Sequence, residues 1–354
     1  MKKRKTIIAA VLILPLLLLF SAGALMYVSD VRQAKNMGPA PPLIHKNCRT
    51  IYPIVIAHHW GPPRHREYDS RGKVTEYFYR PVIDVLRSCG ADIRVAVYSH
   101  DYDTTPARAQ ELKNFIVANF TGNTEYMRTW RLAHPGKIFK VNLVGHSQGC
   151  QDSRYMISNL GMAPLAASWT GLAGESRGTP MADLGMALYD NPLFSLFADC
   201  LLMSLFHDSC RDRDHLFRFI ESVRCLSEDY MQGTGEYSSG GRFEGRGFTA
   251  RYGPTVYYQN WAARLRWMPH EWSALYPLWK YIQLTRGDND IYTPLSSQIH
   301  DEKFVRNRGV LDGAEWWGGV HHMAFTGSLN QPNPGFSQEQ FWIDMIAELR
   351  EMGF

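Results

Sequence analysis

The apolar run Val141-Asn142-Leu143-Val144 leads without a break into Gly145-His146-Ser147-Gln148-Gly149, and a helical pattern with Tyr155, Met156 and Leu160 leaves it. A strand that ends in G-x-S-x-G and turns at once into a helix has few ways to fold. Such a turn holds Ser147 in strained backbone geometry and lifts its hydroxyl above the strand end. Gly145 and Gly149, two residues to either side, are required because the chain packs too closely there for a Cβ. His146 and Gln148 complete the turn.

The rest of the chain supplies the sheet that such a turn needs. Ile54-Val55-Ile56-Ala57 is a short continuous apolar run, as expected of a strand buried on both faces, and Ile93–Val97 and Phe139–Val144 read the same way. Between them, residues 75–88, 106–119 and 149–160 carry helical spacing. Strands alternating with helices predict an α/β fold with a mostly parallel central sheet and helices on both faces. Trp279–Leu284 reads as a later strand that ends at Gly287-Asp288-Asn289-Asp290. Between about 185 and 265 the pattern changes: residues 193–206 are densely apolar and 233–253 are rich in Gly and Ser. This is the composition of a helical cap inserted into the domain. Gly245–Ala250 matches a loose dinucleotide fingerprint but has no strand before it and no helix after it, so it carries nothing.

The 354 residues hold 45% hydrophobic side chains, enough for a large core, which excludes disordered and coiled-coil classes. The formal charge of +4 is local. Lys2, Lys3, Arg4 and Lys5 carry it, and without them the remaining 34 basic residues balance 34 acidic ones. No basic patch is left for a nucleic acid. Behind these residues comes the apolar stretch Ile7–Phe20 and then Ser21-Ala22-Gly23-Ala24. Residues 1–28 are therefore either a signal peptide cleaved after Ala24 or an uncleaved membrane anchor; both export the remainder. Residues 29–50, with Pro39, Pro41 and Pro42, form a linker into a domain spanning 51–354. Cys48 and Cys89 lie at one end of the expected sheet and could pair, and Cys200, Cys210 and Cys225 could give a second bridge.

A serine at its ordinary pKa is a poor nucleophile and needs a base and an orienting acid, in the chain order Ser, Asp/Glu, His. Asp288 and Asp290 both qualify as the acid. Downstream of them lie only His300, His321 and His322. The histidine pairs have no i, i+4 spacing or acid cluster that would favour a metal. An oxyanion needs two backbone donors: one is the amide of Gln148, and the other belongs to the loop after the first strand, with Trp60 the candidate.

At these segments, together with Ser99–Thr104 and Gly174–Pro180, the chain resembles the bacterial triacylglycerol lipases of the α/β-hydrolase superfamily, over roughly 50–330. The resemblance implies an α/β-hydrolase fold with a helical lid and the triad Ser147, Asp290 and His322, the acid following the asparagine of an N-D pair. It also puts Trp60 at the oxyanion position. Two residues depart from the family. His59 replaces the glycine of its H-G pair, and Ala324 replaces the aspartate that binds a structural calcium, so no cofactor or calcium is expected. The function implied is hydrolysis of carboxylic esters, above all of lipids. The alternatives are a phospholipase, a short-chain carboxylesterase, or a non-catalytic binding protein of the same fold.

Overall fold

The computed structural model describes residues 42–61, 65–68, 74–78, 82–191, 199, 212–232, 255–266, 275–312, 318–326 and 336–354. The leader, most of the linker, Cys200, Cys210, Gly245–Ala250 and the middle of the 185–265 insertion lie outside the described residues. No helix among the described residues is long and apolar enough to cross a membrane.

Strands β1 (Ile54–Ala57), β4 (Ile93–Val95), β5 (Val141–His146), β6 (Ala166–Leu172), β7 (Tyr257–Ala263) and β8 (Val305–Leu311) form one sheet in the order β4-β1-β5-β6-β7-β8, every pair parallel. A separate antiparallel hairpin joins β2 (His65–Tyr68) and β3 (Val74–Phe78). The central strands are buried on both faces, and the strand period of two divides them between two cores. Val55, Ala57 and Leu143 face one layer, and Ile54, Ile56 and Val144 face the other.

The helices are α1 (Val82–Ser88), α2 (Thr105–Ile116), α3 (Thr124–Ala133), α4 (Gln148–Asn159), α5 (Pro180–Tyr189), α6 (Arg213–Arg224), α7 (Glu228–Gln232), α8 (Tyr276–Arg286), α9 (Leu295–Gln298) and α10 (Gln338–Glu351). Leu112 and Ile116 of α2, Trp130 of α3 and Met156 and Ile157 of α4 fill the first layer. Val82, Ile83 and Leu86 of α1 meet Trp342, Ile346 and Leu349 of α10 in the second. A third cluster, Met186 of α5 with Leu216, Phe219 and Ile220 of α6, packs against Trp60 and Tyr102.

The strand order fixes where a ligand would bind. From β1 the chain moves outward to β4, then returns past β1 to β5, so the topology reverses between β1 and β5. In an open parallel sheet the crevice outside the strand carboxyl ends opens at that reversal. The loop after β1 and the turn after β5 are its two walls.

Several elements differ from the sequence reading. Residues 279–284 are helical, inside α8, not a strand. Pro277 sits in the first turn, Trp279 and Ile282 are buried one turn apart, and Leu284 is exposed, so the apolar run wraps a helix. Residues 75–78 belong to β3, and the helix expected over 75–88 begins only at Val82. The last residues of the 185–265 insertion are β7, a core strand. Cys48 and Cys89 do meet, the Cys48 amide donating to the Cys89 carbonyl at 2.9 Å, but both are free thiols, as is Cys225.

Candidate active site

The turn from β5 into α4 runs through a single strained residue. Ser147 has φ 56° and ψ −129°, a conformation costing a non-glycine residue about 1–3 kcal/mol. It is held by its neighbours: its amide donates to the Leu172 carbonyl at 3.0 Å, and its carbonyl accepts from the Cys150 amide at 2.9 Å. A Cβ on Gly149 would come 2.0 Å from the Ala57 carbonyl oxygen, and one on Gly145 would come 2.6 Å from the Cys150 backbone. Both positions therefore require glycine. Gln148 is the first residue of α4, where amides have no partner within the helix, and its side-chain amide donates to the Asp103 carbonyl at 3.0 Å.

The two later loops are pinned to the end of β7. The Leu265 amide donates to the Asn289 carbonyl at 2.8 Å, and the Val320 amide donates to the Arg264 carbonyl at 2.9 Å. The loops thus face each other, and the His322 amide donates to the Asp290 carbonyl at 2.9 Å. Asp290 is fully buried. One carboxylate oxygen accepts from the amides of Tyr292 (3.1 Å) and Thr293 (2.8 Å), and the other stands 2.7 Å from Nδ1 of His322. Ile291, between them, is strained at φ 100°. Asp288 is on the surface, half exposed and paired with Arg264 at 2.8 Å. The geometry separates the two acids that residue types alone left equal.

Of the three downstream histidines, His322 alone meets a buried acid of the Asp-turn. His300 bonds Ser176 and Glu302 instead, and His321 is a buried neighbour. Burial works against the charged form of His322, but Asp290 and then Glu175 outweigh it and raise its pKa. His146, the variable residue of the turn, places Nε2 2.9 Å from the His322 carbonyl oxygen. A carbonyl only accepts, so that nitrogen carries the proton. Burial pushes the pKa of His146 well below the usual histidine range, and it stays neutral.

The loop after β1 is held from below. Arg108 of α2 is fully buried. Its Nε meets Asp152 of α4 at 2.7 Å, and its Nη2 donates to the carbonyls of His58 (2.7 Å) and His59 (3.2 Å). Burial raises the Asp152 carboxyl to about 7 against the opposing pull of Arg108, whose guanidinium has no accessible neutral form and stays charged. His59, the bulky residue of this loop, is buried edge-on against His146, and burial lowers its pKa to about 3. The Trp60 indole turns toward α6, donating to Ser222 Oγ at 2.8 Å and packing on Tyr102 and Phe219. Arg218 of α6 reaches Asp103 at 2.7 Å. The helix thus lies over the loop.

Sequence reasoning missed Glu175, which follows the end of β6. It is almost fully buried, and the Ser147 hydroxyl donates to its Oε1 at 2.8 Å. Oε1 also accepts from Thr293 Oγ1 (3.2 Å) and stands 3.8 Å from Nε2 of His322, while Oε2 accepts from Gln151 Nε2 (3.1 Å). Burial raises its pKa, opposed by His322 and Ser147. An acid directly after a buried strand in a Gly-rich segment was the available signal. Arg108 and Asp152 offered none beyond their positions on helices.

No family model matches the sequence. Over 136 residues it is 29% identical to a triacylglycerol lipase of Pseudomonas fragi. Over that segment the chain is similar to a bacterial lipase. The alignment spans 38% of this chain and 38% of that lipase. Staphylococcus hyicus lipase superposes with a TM-score of 0.52 at 15% identity, covering 89% of this chain and 99% of that one. A metagenomic carboxyl esterase superposes at 0.51 and 12% identity, covering 90% and 80%. These likenesses, with the parallel sheet, identify an α/β-hydrolase fold.

The Arg108 clamp has a measurable consequence. Arg108→Met leaves Asp152 buried without a counter-charge and should cost about 3–5 kcal/mol in urea unfolding, whereas Arg177→Ala, opening the exposed pair with Asp301, should cost less than about 1 kcal/mol.

Proposed function

We propose that the chain is a serine hydrolase of carboxylic esters, with lipid esters as the substrate class. The observation that carries this reading is the junction of two buried contacts. Asp290 and His322 form a carboxylate–imidazole pair at 2.7 Å, and the far side of that ring shares a carboxylate oxygen with the hydroxyl of Ser147 on its strained turn. A neutral imidazole oriented by a buried acid is the base that a serine needs.

In this reading Ser147 Oγ attacks the ester carbonyl carbon while its proton passes to Nε2 of His322. Asp290 stabilises the imidazolium that forms. The carbonyl oxygen takes the charge, held by the backbone amides of Trp60 and Gln148. The carbon–oxygen bond then breaks, the imidazolium gives its proton to the departing alcohol, and water repeats the sequence on the acyl-enzyme. The lipid preference is supported by the lipase relative and by Trp60, Tyr102 and Phe219, aromatic rings beside the oxyanion loop. The basic and apolar leader supports a working domain outside the cytoplasm, secreted or anchored. His59, whose bulk in the oxyanion loop is the feature that would favour a non-catalytic protein, is buried against His146.

We infer no calcium at the position two residues after His322, where Ala324 replaces the family aspartate. The turn His322–Phe325 presents Met323, Ala324 and Phe325 after the histidine, none with a side-chain oxygen. Activity should be unchanged by EDTA; loss restored by calcium alone would contradict this.

On p-nitrophenyl esters of rising acyl length and on emulsified triglyceride, Ser147→Ala should lose at least about ten-thousand-fold in kcat/KM, and Asp290→Asn about a hundred- to ten-thousand-fold. Asp288→Asn, at an exposed pair, should stay within about twofold. Retained activity in Ser147→Ala would contradict the reading. Preference for short soluble esters or for phospholipids would narrow the substrate class to those alternatives.

A further inference from the structure

The site contains a carboxylate, Glu175, that takes no part in the acyl transfer at Ser147. Glu175 accepts the hydroxyl proton of Ser147 at 2.8 Å, and the same oxygen lies 3.8 Å from Nε2 of His322, the nitrogen that must receive that proton. Gln151 from α4 and Thr293 from the acid loop fix the carboxylate in place. We propose that Glu175 is a positioning residue for this ester hydrolysis: it holds the Ser147 hydroxyl in the resting site and keeps a negative charge beside Nε2, so that the site becomes active only once that corner has lost its proton. The inference rests on the function proposed above.

The surroundings of His322 make Glu175 the group that matters on this side. Asp290 and Tyr292 face the ring from the acid loop, His146 from the end of β5, His59 from the loop after β1, and His321 from its own segment. Burial keeps His59, His146 and His321 neutral, with His59 lowered to about 3 and His321 to about 4. Burial also raises Tyr292, which stays neutral. Asp152, beyond Glu175, is matched by Arg108. The carboxyl groups left at the imidazole among the described residues are Asp290 on Nδ1 and Glu175 on Nε2, where burial raises the Glu175 pKa against the opposing pull of His322 and Ser147. An added proton is therefore stabilised from both sides, and a protonated His322 cannot act as base.

When substrate is attacked, the hydroxyl turns from Oε1 to Nε2. The Oγ–H bond breaks, the N–H bond forms and Oγ bonds to the carbonyl carbon; Glu175 ends with the proton count it began with. Its charge remains beside the new imidazolium and helps to stabilise it.

The test is the pH profile of kcat/KM. Glu175→Gln keeps the shape and removes the charge, so less alkali is needed to free the base. Its acid limb should move down by about one pH unit, with a lower plateau from the less stabilised imidazolium. Glu175→Asp keeps a charge and should keep the limb near that of the wild type. A merely structural Glu175 would weaken both variants without moving either limb, and that result overturns the proposal. If neither variant folds, neutron diffraction on the wild type decides: the Ser147 hydroxyl deuterium should point to Glu175, and a deuterium directed at His322 would overturn it. An active Ser147→Ala would sink the underlying reading, whereas an inactive one beside an unmoved Glu175→Gln profile sinks this inference alone.

Discussion

The start of α4 presses its backbone against the carbonyl of Ala57 at the end of β1, so closely that only glycine fits at 149. That approach sets the rest of the site. It forces the turn at Ser147 into its strained φ, brings the start of a helix beside the loop after β1, and puts both at the point where the strand order reverses. The strain is held from the sheet and from the helix, since the Ser147 amide donates to Leu172 of β6 and its carbonyl accepts from Cys150 of α4. Arg108 extends the same contact downward, tying α4 through Asp152 to the carbonyls of His58 and His59.

Around this frame the interior is electrostatically selective. Three buried histidines are neutral and serve as packing and hydrogen-bonding rings, His146 holding the His322 segment by its carbonyl. His322 is pushed the other way because two carboxylates flank it. The same residue type is thus shifted in opposite directions within a few ångströms: burial lowers His59 and His146, whereas Asp290 and Glu175 outweigh burial at His322.

Much of this was legible in the sequence, for physical reasons. β1 and β5 are buried on both faces and read as continuous apolar runs, and the glycines around Ser147 mark the close approach. β7 was hidden because Gln259 and Asn260 are polar yet buried, their side-chain amides donating to Thr170 Oγ1 and to the Gln298 carbonyl. β8 at the sheet edge has only Val305, Val310 and Leu311 as apolar residues, around the polar run Arg306-Asn307-Arg308 and Gly309. Trp279–Leu284 was misread because six residues hold too short a stretch of period to separate strand from helix. Asp290 was distinguished from Asp288 only by resemblance, since their burial depends on the chain around them. The segment signal at Glu175 gave no role, because its partners Ser147 and Gln151 on the β5–α4 elbow and Thr293 on the acid loop meet only in the fold.

The central claim is that Ser147 is the nucleophile of an ester hydrolase. Reaction with a fluorophosphonate followed by peptide mass mapping tests it most directly. The account predicts one adduct, on Ser147, forming as hydrolytic activity disappears. Full loss of activity with the adduct on another residue, or activity that survives complete modification of Ser147, would contradict it.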